Sequence, residues 1–208
     1  MRVNPAIDNY SASSRLASLS TYARMTEHSQ LVHLLASRSA RRGQFTLASG
    51  RQSTLYIDAR LTTMSPEGLI LIGSLGLRMI RDKWEADSVG GLTLGADPIS
   101  YAISYTSGLT KHPLRAFTVR KEAKIHGTGK LIEGPFQAGD RVVVIEDVIT
   151  TGGSALKAIA AVQAAGGIIA GVLALVDRDE GGHDIIEAGG IPVIALVQAQ
   201  ELLPLITP

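Results

Sequence analysis

The chain contains no cysteine. That absence removes a disulfide framework, a thiolate nucleophile and any cysteine-ligated metal from consideration. Excess charge is missing as well: 20 Lys and Arg against 19 Asp and Glu leave a formal net charge of +1. No global field draws the protein to nucleic acid or to an anionic membrane, so recognition of anions must come from local clusters. No apolar run approaches the roughly 20 residues of a membrane span, and IIAGVLALV at 168–176 has the length of a strand. There is no internal repeat. No Gly-x-Gly-x-x-Gly follows a strand, and GTGK at 127–130 lacks the spacing of a phosphate-binding P-loop, which disposes of dinucleotide oxidoreductase and kinase readings.

What remains is ordinary globular usage, 45% hydrophobic and 19% charged over 208 residues. That is enough to bury a full core in one domain, and the expected setting is cytoplasmic. The first two dozen residues differ in kind, with five serines, Arg2, Arg15, Arg24 and a single acid, Asp8. A transit peptide shares that composition, but no amphipathic stripe accompanies it, and a flexible tail or a misplaced start codon accounts for it better. Residues 1–25 are therefore expected to be an extension and residues 26–208 a single domain.

The most informative stretch is RVVVIEDVITTGGS at 141–154. Val142, Val143, Val144 and Ile145 form a β-branched run suited to a strand covered on both faces of a parallel sheet. Glu146 and Asp147 fall at its carboxyl end, where open α/β sheets place their ligand crevice. Thr150, Thr151, Gly152, Gly153 and Ser154 follow, joined by the start of a helix. Glycines let backbone amides approach an anion, while the hydroxyls and the helix dipole add to the attraction, so a phosphate suits the turn. Carboxylates would repel that phosphate, so the acids must serve ribose hydroxyls or a hydrated cation. The alternative is an ordinary glycine turn capped by two acids. Four apolar residues, two acids, two variable residues and Thr-Thr-Gly-Gly-Ser together resemble the phosphoribosyl pyrophosphate signature of the type I phosphoribosyltransferases.

Around this motif the chain alternates in the manner of a doubly wound α/β fold. Helices are expected over 28–41, 66–83, 98–106 and 154–165, and five parallel strands over 87–92, 114–121, 141–147, 168–177 and 192–197. Two segments stand outside the alternation, TLYIDAR at 54–60 and KLIEGPF at 130–136, and both are expected to build a small hood layer over the crevice.

A second stretch, RKEAKIHGTGK at 120–130, gathers Arg120, Lys121, Lys124, His126 and Lys130 with Gly127 and Gly129. By itself such a run reads as a solvated loop. Beside a phosphoribosyl pyrophosphate site it acquires a use, because the pyrophosphate leaving group needs cations that arrive on closure and depart on release. RKEAKIHG closely resembles the catalytic loop of the orotate phosphoribosyltransferases. FTLASGRQSTLYIDAR and VDRDEGG resemble their orotate-side segments, and the likeness runs from about residue 30 to 190.

The resemblance implies a role for each matching residue. Arg120, Lys121, Lys124 and His126 would contact the pyrophosphate, the loop of one subunit reaching into the site of its homodimer partner. Glu146 and Asp147 would hold ribose hydroxyls. The turn Thr150, Thr151, Gly152, Gly153 and Ser154 would bind the 5-phosphate, with Thr150 also near orotate, and Val148 and Ile149 would belong to the same phosphoribosyl pyrophosphate site. Arg178 would pair with the orotate carboxylate, and Tyr56 and Ile57 would flank the base. Lys124, His126 and Asp147 would be the catalytic residues. His126 is either a general acid or, beside its lysines, a charge and hydrogen-bond donor to pyrophosphate, which its surroundings favour. The implied reaction is Mg-dependent transfer of the ribosyl 5-phosphate group to orotate in UMP synthesis. The cation would be held mainly by pyrophosphate and ribose oxygens, so no dedicated protein metal site is expected, nor any nucleic-acid or membrane partner.

Two positions depart from the family pattern: Ala48 and Leu94 stand where lysines are usual, leaving Arg51 or Lys130 to compensate. Purine and uracil phosphoribosyltransferases share the motif at 146–154, and Arg178 with the 120–130 loop separates them from the orotate enzymes. A nucleic-acid-binding regulator of the same fold would need an appendage or basic face that the sequence lacks. His28, His33, His112 and His183 have no evident partners and are expected on the surface. Trp84 and Tyr101 are expected in core or interface packing.

Overall fold

A computed structural model describes residues 25–46, 52–122 and 130–206. The chain begins with α1 (Glu27–Arg38), whose first turn is capped by Thr26 Oγ1 accepting the Ser29 N–H at 3.1 Å. It continues through β1 (Ala40–Thr46), β2 (Gln52–Ile57), α2 (Arg60–Thr63) and α3 (Pro66–Lys83). α3 starts where the sequence places it, because Ser65 accepts the Gly68 N–H at 3.1 Å and Pro66 sits where no intrahelical donor is needed. Then follow β3 (Ser88–Leu92), α4 (Ala96–Gly108), β4 (Arg115–Val119), β5 (Ile132–Glu133), β6 (Arg141–Ile149) and α5 (Gly153–Ala164). The chain closes with β7 (Ile168–Asp177), α6 (Gly182–Ala188), β8 (Val193–Gln198), α7 (Ala199–Leu202) and a 3₁₀ turn (Leu203–Leu205).

The central sheet has the order β5-β4-β3-β6-β7-β8. The five strands expected from sequence are all present and pair in parallel. β5 adds a short antiparallel edge on β4. From β3 the order runs one way to β4 and the other way to β6, β7 and β8, so a topological switch point lies between β3 and β6. Ligands of open α/β sheets bind at the carboxyl ends of the strands at such a point.

Strand alternation divides the interior in two. Val143, Ile145, Leu173 and Leu175 face a cluster with Leu31 and Leu35 of α1, Ile72 and Ile80 of α3, and Ile99 and Ile103 of α4. Val142, Val144, Val172 and Ala174 face Ala158, Ile159 and Val162 of α5 and Ile186 of α6. Trp84, which ends α3, packs against the first cluster and lies over Gly171 near the start of β7, where a Cβ would come within 2.5 Å of the indole. Trp84 thus packs as the sequence suggests, whereas Tyr101 is half exposed.

Two sequence expectations are corrected. The first helix stops at Arg38, and Ala40 and Arg41, read as its end, instead open β1, which runs antiparallel to β2. A single hood strand would leave its backbone donors and acceptors unpaired, and β1 supplies them. The KLIEGPF segment does not join the hood: Ile132 and Glu133 pair with Val119 and Thr118 at the edge of the main sheet, and Arg120 N–H donates to Leu131 O at 2.8 Å. The hood is therefore the β1–β2 hairpin. The last residues pack into the core as well, since Leu202 is fully buried against the α1 side and Arg42 Nη2 donates to Leu203 O at 2.5 Å. No helix among the described residues is long and apolar enough to cross a membrane.

Candidate active site

A cavity of about 290 Å³ opens over the carboxyl ends of β3 and β6. Its floor is the turn Leu92–Gly95 with Glu146 and Asp147; its roof is Tyr56 to Arg60 of the hood; Lys121 and Ser154 close its sides. A second cavity of about 220 Å³ adjoins it, lined by Val148 to Ser154 with Lys157, and shares Glu146 and Ser154 with the first. One elongated site results.

Successive strand residues point to opposite faces, and this separates the two acids. Glu146 turns toward α5, lies at the junction of the two cavities and is 8% exposed. Burial pushes its carboxyl up, and the neighbouring Asp147 charge pushes it further, to about 9. Asp147 turns toward the β3 turn. Its Oδ1 accepts the Val148 N–H at 2.9 Å, and its carboxylate lies so near Gly95 that a Cβ there would sit 2.5 Å from it.

The β3 turn is itself held from below. Asp97, 8% exposed in the first turn of α4, accepts Thr93 Oγ1 at 2.6 Å and Thr118 Oγ1 at 2.8 Å. Leu94, one of the two departures from the family pattern, lines the cavity and is half exposed, so an apolar side chain stands in a polar site.

Gly152 adopts φ +77°, a conformation that favours glycine, and this lets the turn after β6 fold back over the start of α5. Gly182 N–H donates to Thr150 O at 2.9 Å, tying the turn to the segment after β7. Lys157, one helical turn into α5, lines this cavity beside Gly152 and Gly153. An anion held there would meet backbone amides, a helix N-terminus, two threonines, a serine and an ammonium group.

The hood contributes an aromatic and a cation. Tyr56 lines the cavity with its ring centroid 5.3 Å from that of Phe45 across the hairpin. Arg60 forks onto Asp58, Nε to Oδ1 at 2.8 Å and Nη2 to Oδ2 at 2.9 Å. This hydrogen bonding holds the Asp58 carboxyl below its ordinary value. Arg178 leaves the end of β7 and runs under the hood, 6% exposed at its side chain; Nη2 donates to Ser53 Oγ at 2.8 Å and Leu55 O at 2.9 Å, and lies 2.8 Å from Glu180 Oε1. Its Nε is buried and has no acceptor among the described residues.

No protein-family model matches the chain. The orotate phosphoribosyltransferase of Aquifex aeolicus (strain VF5) is 45% identical over 182 residues, covering 86% of this chain and 99% of the relative. The chain belongs to the orotate phosphoribosyltransferase family. Solved orotate phosphoribosyltransferases agree. That of Mycobacterium tuberculosis H37Rv in complex with Fe(III) dicitrate is 42% identical with a TM-score of 0.76, covering 85% of this chain and 99% of that one. The same enzyme in complex with 5-phospho-α-D-ribosyl 1-diphosphate is 40% identical with a TM-score of 0.73, again covering 85% and 99%.

Of the orotate phosphoribosyltransferase positions expected from sequence, Tyr56, Ile57, Lys121, Glu146, Asp147 and Ser154 line one cavity, and Val148, Ile149, Thr150, Thr151, Gly152 and Gly153 line the other. Arg120 lies apart, its Nη1 3.5 Å from Glu133 Oε1 on the edge strand. Arg178 lines neither cavity and meets β2 at Ser53 Oγ and at Leu55 O, beside Tyr56. Lys124, His126, Ala48 and Arg51 lie outside the described residues.

Two site cations escaped the sequence reading. Lys157 falls at the fourth position after Gly153, the spacing that returns a side chain to a helix's first turn, and Arg60 is the last residue of TLYIDAR. The expectation that His183 has no partners is corrected, because its partly exposed ring lies between Asp177 and Glu187. His28 is likewise partnered, with Nε2 3.1 Å from Leu196 O and 3.4 Å from Glu201 Oε2.

Proposed function

We infer that the protein transfers the 5-phosphoribosyl group of 5-phosphoribosyl 1-pyrophosphate to orotate, giving orotidine 5-phosphate and pyrophosphate in pyrimidine nucleotide synthesis. The observation that carries this is the join between the two cavities at Glu146 and Ser154, within a chain of this family. A phosphate cradle opens directly onto an acid-floored, aromatic-roofed cavity, which suits a phosphorylated sugar presented to a flat base.

The donor's 5-phosphate sits on the 150–154 turn with Lys157, and its ribose lies over Glu146 and Asp147. Orotate lies beneath Tyr56 and Ile57, and its carboxylate pairs with Arg178, whose buried Nε–H lacks an acceptor among the described residues. That pairing requires the guanidinium to turn away from Glu180. The leaving pyrophosphate lies toward the β3 turn, where Lys121 lines the cavity and where Lys124 and His126 arrive with the loop. As carbon 1 of the ribose gains oxocarbenium character, the carboxylate of Asp147 stabilises the cationic sugar and the loop cations stabilise the departing charge.

The residues present fit a magnesium ion carried by the donor. No group of three or more ligating side chains occurs among the described residues. Asp147 keeps one carboxylate oxygen free of the Val148 N–H, while Glu146 at about 9 is a poor ligand at neutral pH. Asp147 would stand beside an ion held mainly by substrate oxygens and water, and that ion would supply positive charge to the pyrophosphate. The enzyme works as a cytoplasmic homodimer, the 120–130 loop of one subunit serving the other's site, and residues 26–208 form its single catalytic domain.

The deciding experiment follows the loss of orotate absorbance with magnesium and the donor, with hypoxanthine, adenine and uracil run alongside. Consumption of orotate alone is expected. Turnover of another base in its place would overturn the base assignment, and no turnover with donor still bound would make the protein a sensor of the donor.

A further inference from the structure

The turn that carries Arg178 is secured by a clamp to which the transfer reaction gives no part. β7 ends at Asp177, only 4% exposed. Its Oδ1 accepts the Asp179 N–H at 2.9 Å, and its Oδ2 lies 2.9 Å from Nδ1 of His183, in the first turn of α6. The other ring nitrogen, Nε2, lies 3.4 Å from Glu187 Oε1, one turn further along the helix. Between clamp and helix the chain is tightly constrained. Arg178 N–H donates to Ile149 O at 3.1 Å, Asp179 takes φ +55°, and Gln200 Nε2 donates to Asp179 Oδ2 at 3.1 Å.

We propose that His183 is a positioning residue for orotate: through Asp177 it fixes the turn that directs Arg178 under the hood. A carboxylate as buried as Asp177 needs a compensating partner, and none but His183 among the described residues places a cationic group on it. Asp177 in turn sets the backbone of Asp179, so the residues on both sides of Arg178 are fixed and its side chain meets Ser53 Oγ and Leu55 O at one angle. This proposal rests on the reading of Arg178 as the ligand of the orotate carboxylate.

The arrangement also carries a pH dependence. Burial draws the His183 pKa down, but the hydrogen bond to Asp177 and the charges of Asp177 and Glu187 outweigh it, and the net displacement is upward. α5, packed against α6, bears one charged residue, Lys157, on the phosphate side, and β8 bears none. As pH rises through the elevated value, the ring loses its charge while Nδ1–H can still donate to Asp177. The clamp is weakened without being broken, because a charge-assisted bond is roughly twice as strong as a neutral one.

The test measures the Michaelis constants for orotate and for the donor between about pH 6 and 9, in wild type and in His183→Ala, His183→Asn and Arg178→Ala. His183→Ala should raise the orotate constant roughly threefold to tenfold, with the donor constant within about twofold of wild type. Asparagine presents Nδ2 where histidine presents Nδ1. His183→Asn should therefore keep an orotate constant near that of wild type at high pH and lose the rise that wild type shows on going from low to high pH. A wild-type orotate constant in His183→Ala, or a wild-type pH profile in His183→Asn, overturns the proposal; if the alanine variant does not fold, the asparagine profile decides. Arg178→Ala separates the two readings. A raised orotate constant there, with both His183 variants unchanged, removes His183 alone, whereas an unchanged constant removes the base-site reading and the proposal with it.

Discussion

At the scale of single residues, the site's main tension lies in Glu146. Its folded value of about 9 stands well above the ordinary 4.5. Between those limits the folded state holds a proton that the unfolded chain has released, so stability falls as pH climbs from about 4.5 to about 9. Below 4.5 both states are protonated and the penalty vanishes. Glu146→Gln removes the titration at nearly constant shape. Its thermal midpoint at pH 8 should exceed that of wild type by a few degrees, roughly the response of a domain this size to ~1–2 kcal/mol, and the gap should close toward pH 5. Turnover should fall roughly tenfold or more, because an amide cannot become the anion that accepts ribose hydroxyls. Melting curves at the two pH values, with initial rates at pH 8, check this; an equal gap at both would place the strain elsewhere. The same residue marks the reach of sequence reading. The pattern placed Glu146 at the strand end among ligand groups, but only the geometry shows that alternation sends it toward α5 and Asp147 toward Gly95.

Elements were legible where the pattern was long and local. The 18-residue α3 announces itself by Ser65-Pro66, and β6, β7 and β8 by apolar runs rich in valine and isoleucine. What escaped was short or set by distant partners. β5 has two residues and no periodicity to read. β1 carries ARRGQFT, with Phe45 as its one large apolar residue, and becomes a strand because β2 needs a partner. The contact between His183 and Asp177 spans a strand end and a helix start, which spacing alone does not bring together. The doubly covered strands make their own prediction. Leu173 lies in the middle of β7, 1% exposed and backed by the helices on one face. Leu173→Ala should destabilise the protein by about 2–5 kcal/mol, since the packed layers relax only partly into the space left. Urea unfolding checks this through a lower midpoint with unchanged slope, and a loss under about 1 kcal/mol would mean that the two-layer packing is looser than described.

For the whole molecule, the relatives cover 86% of the chain and nearly their own full length, which accords with a catalytic unit that needs no contribution from the first two dozen residues. A chain lacking residues 2–24 keeps Thr26 to cap α1. It should hold kcat/KM within about twofold and its thermal midpoint within about 2 °C of the full chain, the scatter usual for changes away from packed features. A tenfold loss of rate would give the extension a part in the reaction, and a large fall in midpoint a part in the fold.

Trp84 offers a practical consequence on this scale. It is the only tryptophan of the 208 residues, and it rests on Gly171 near the amino ends of the strands, whereas the substrates are assigned to their carboxyl ends. Excited at wavelengths beyond tyrosine absorption, the protein therefore reports through a single indole that lies beside its hydrophobic interior and remote from its chemistry. Its emission should follow unfolding of the sheet and ignore substrate, so fluorescence and turnover can be read from one sample as independent channels, one for integrity and one for catalysis.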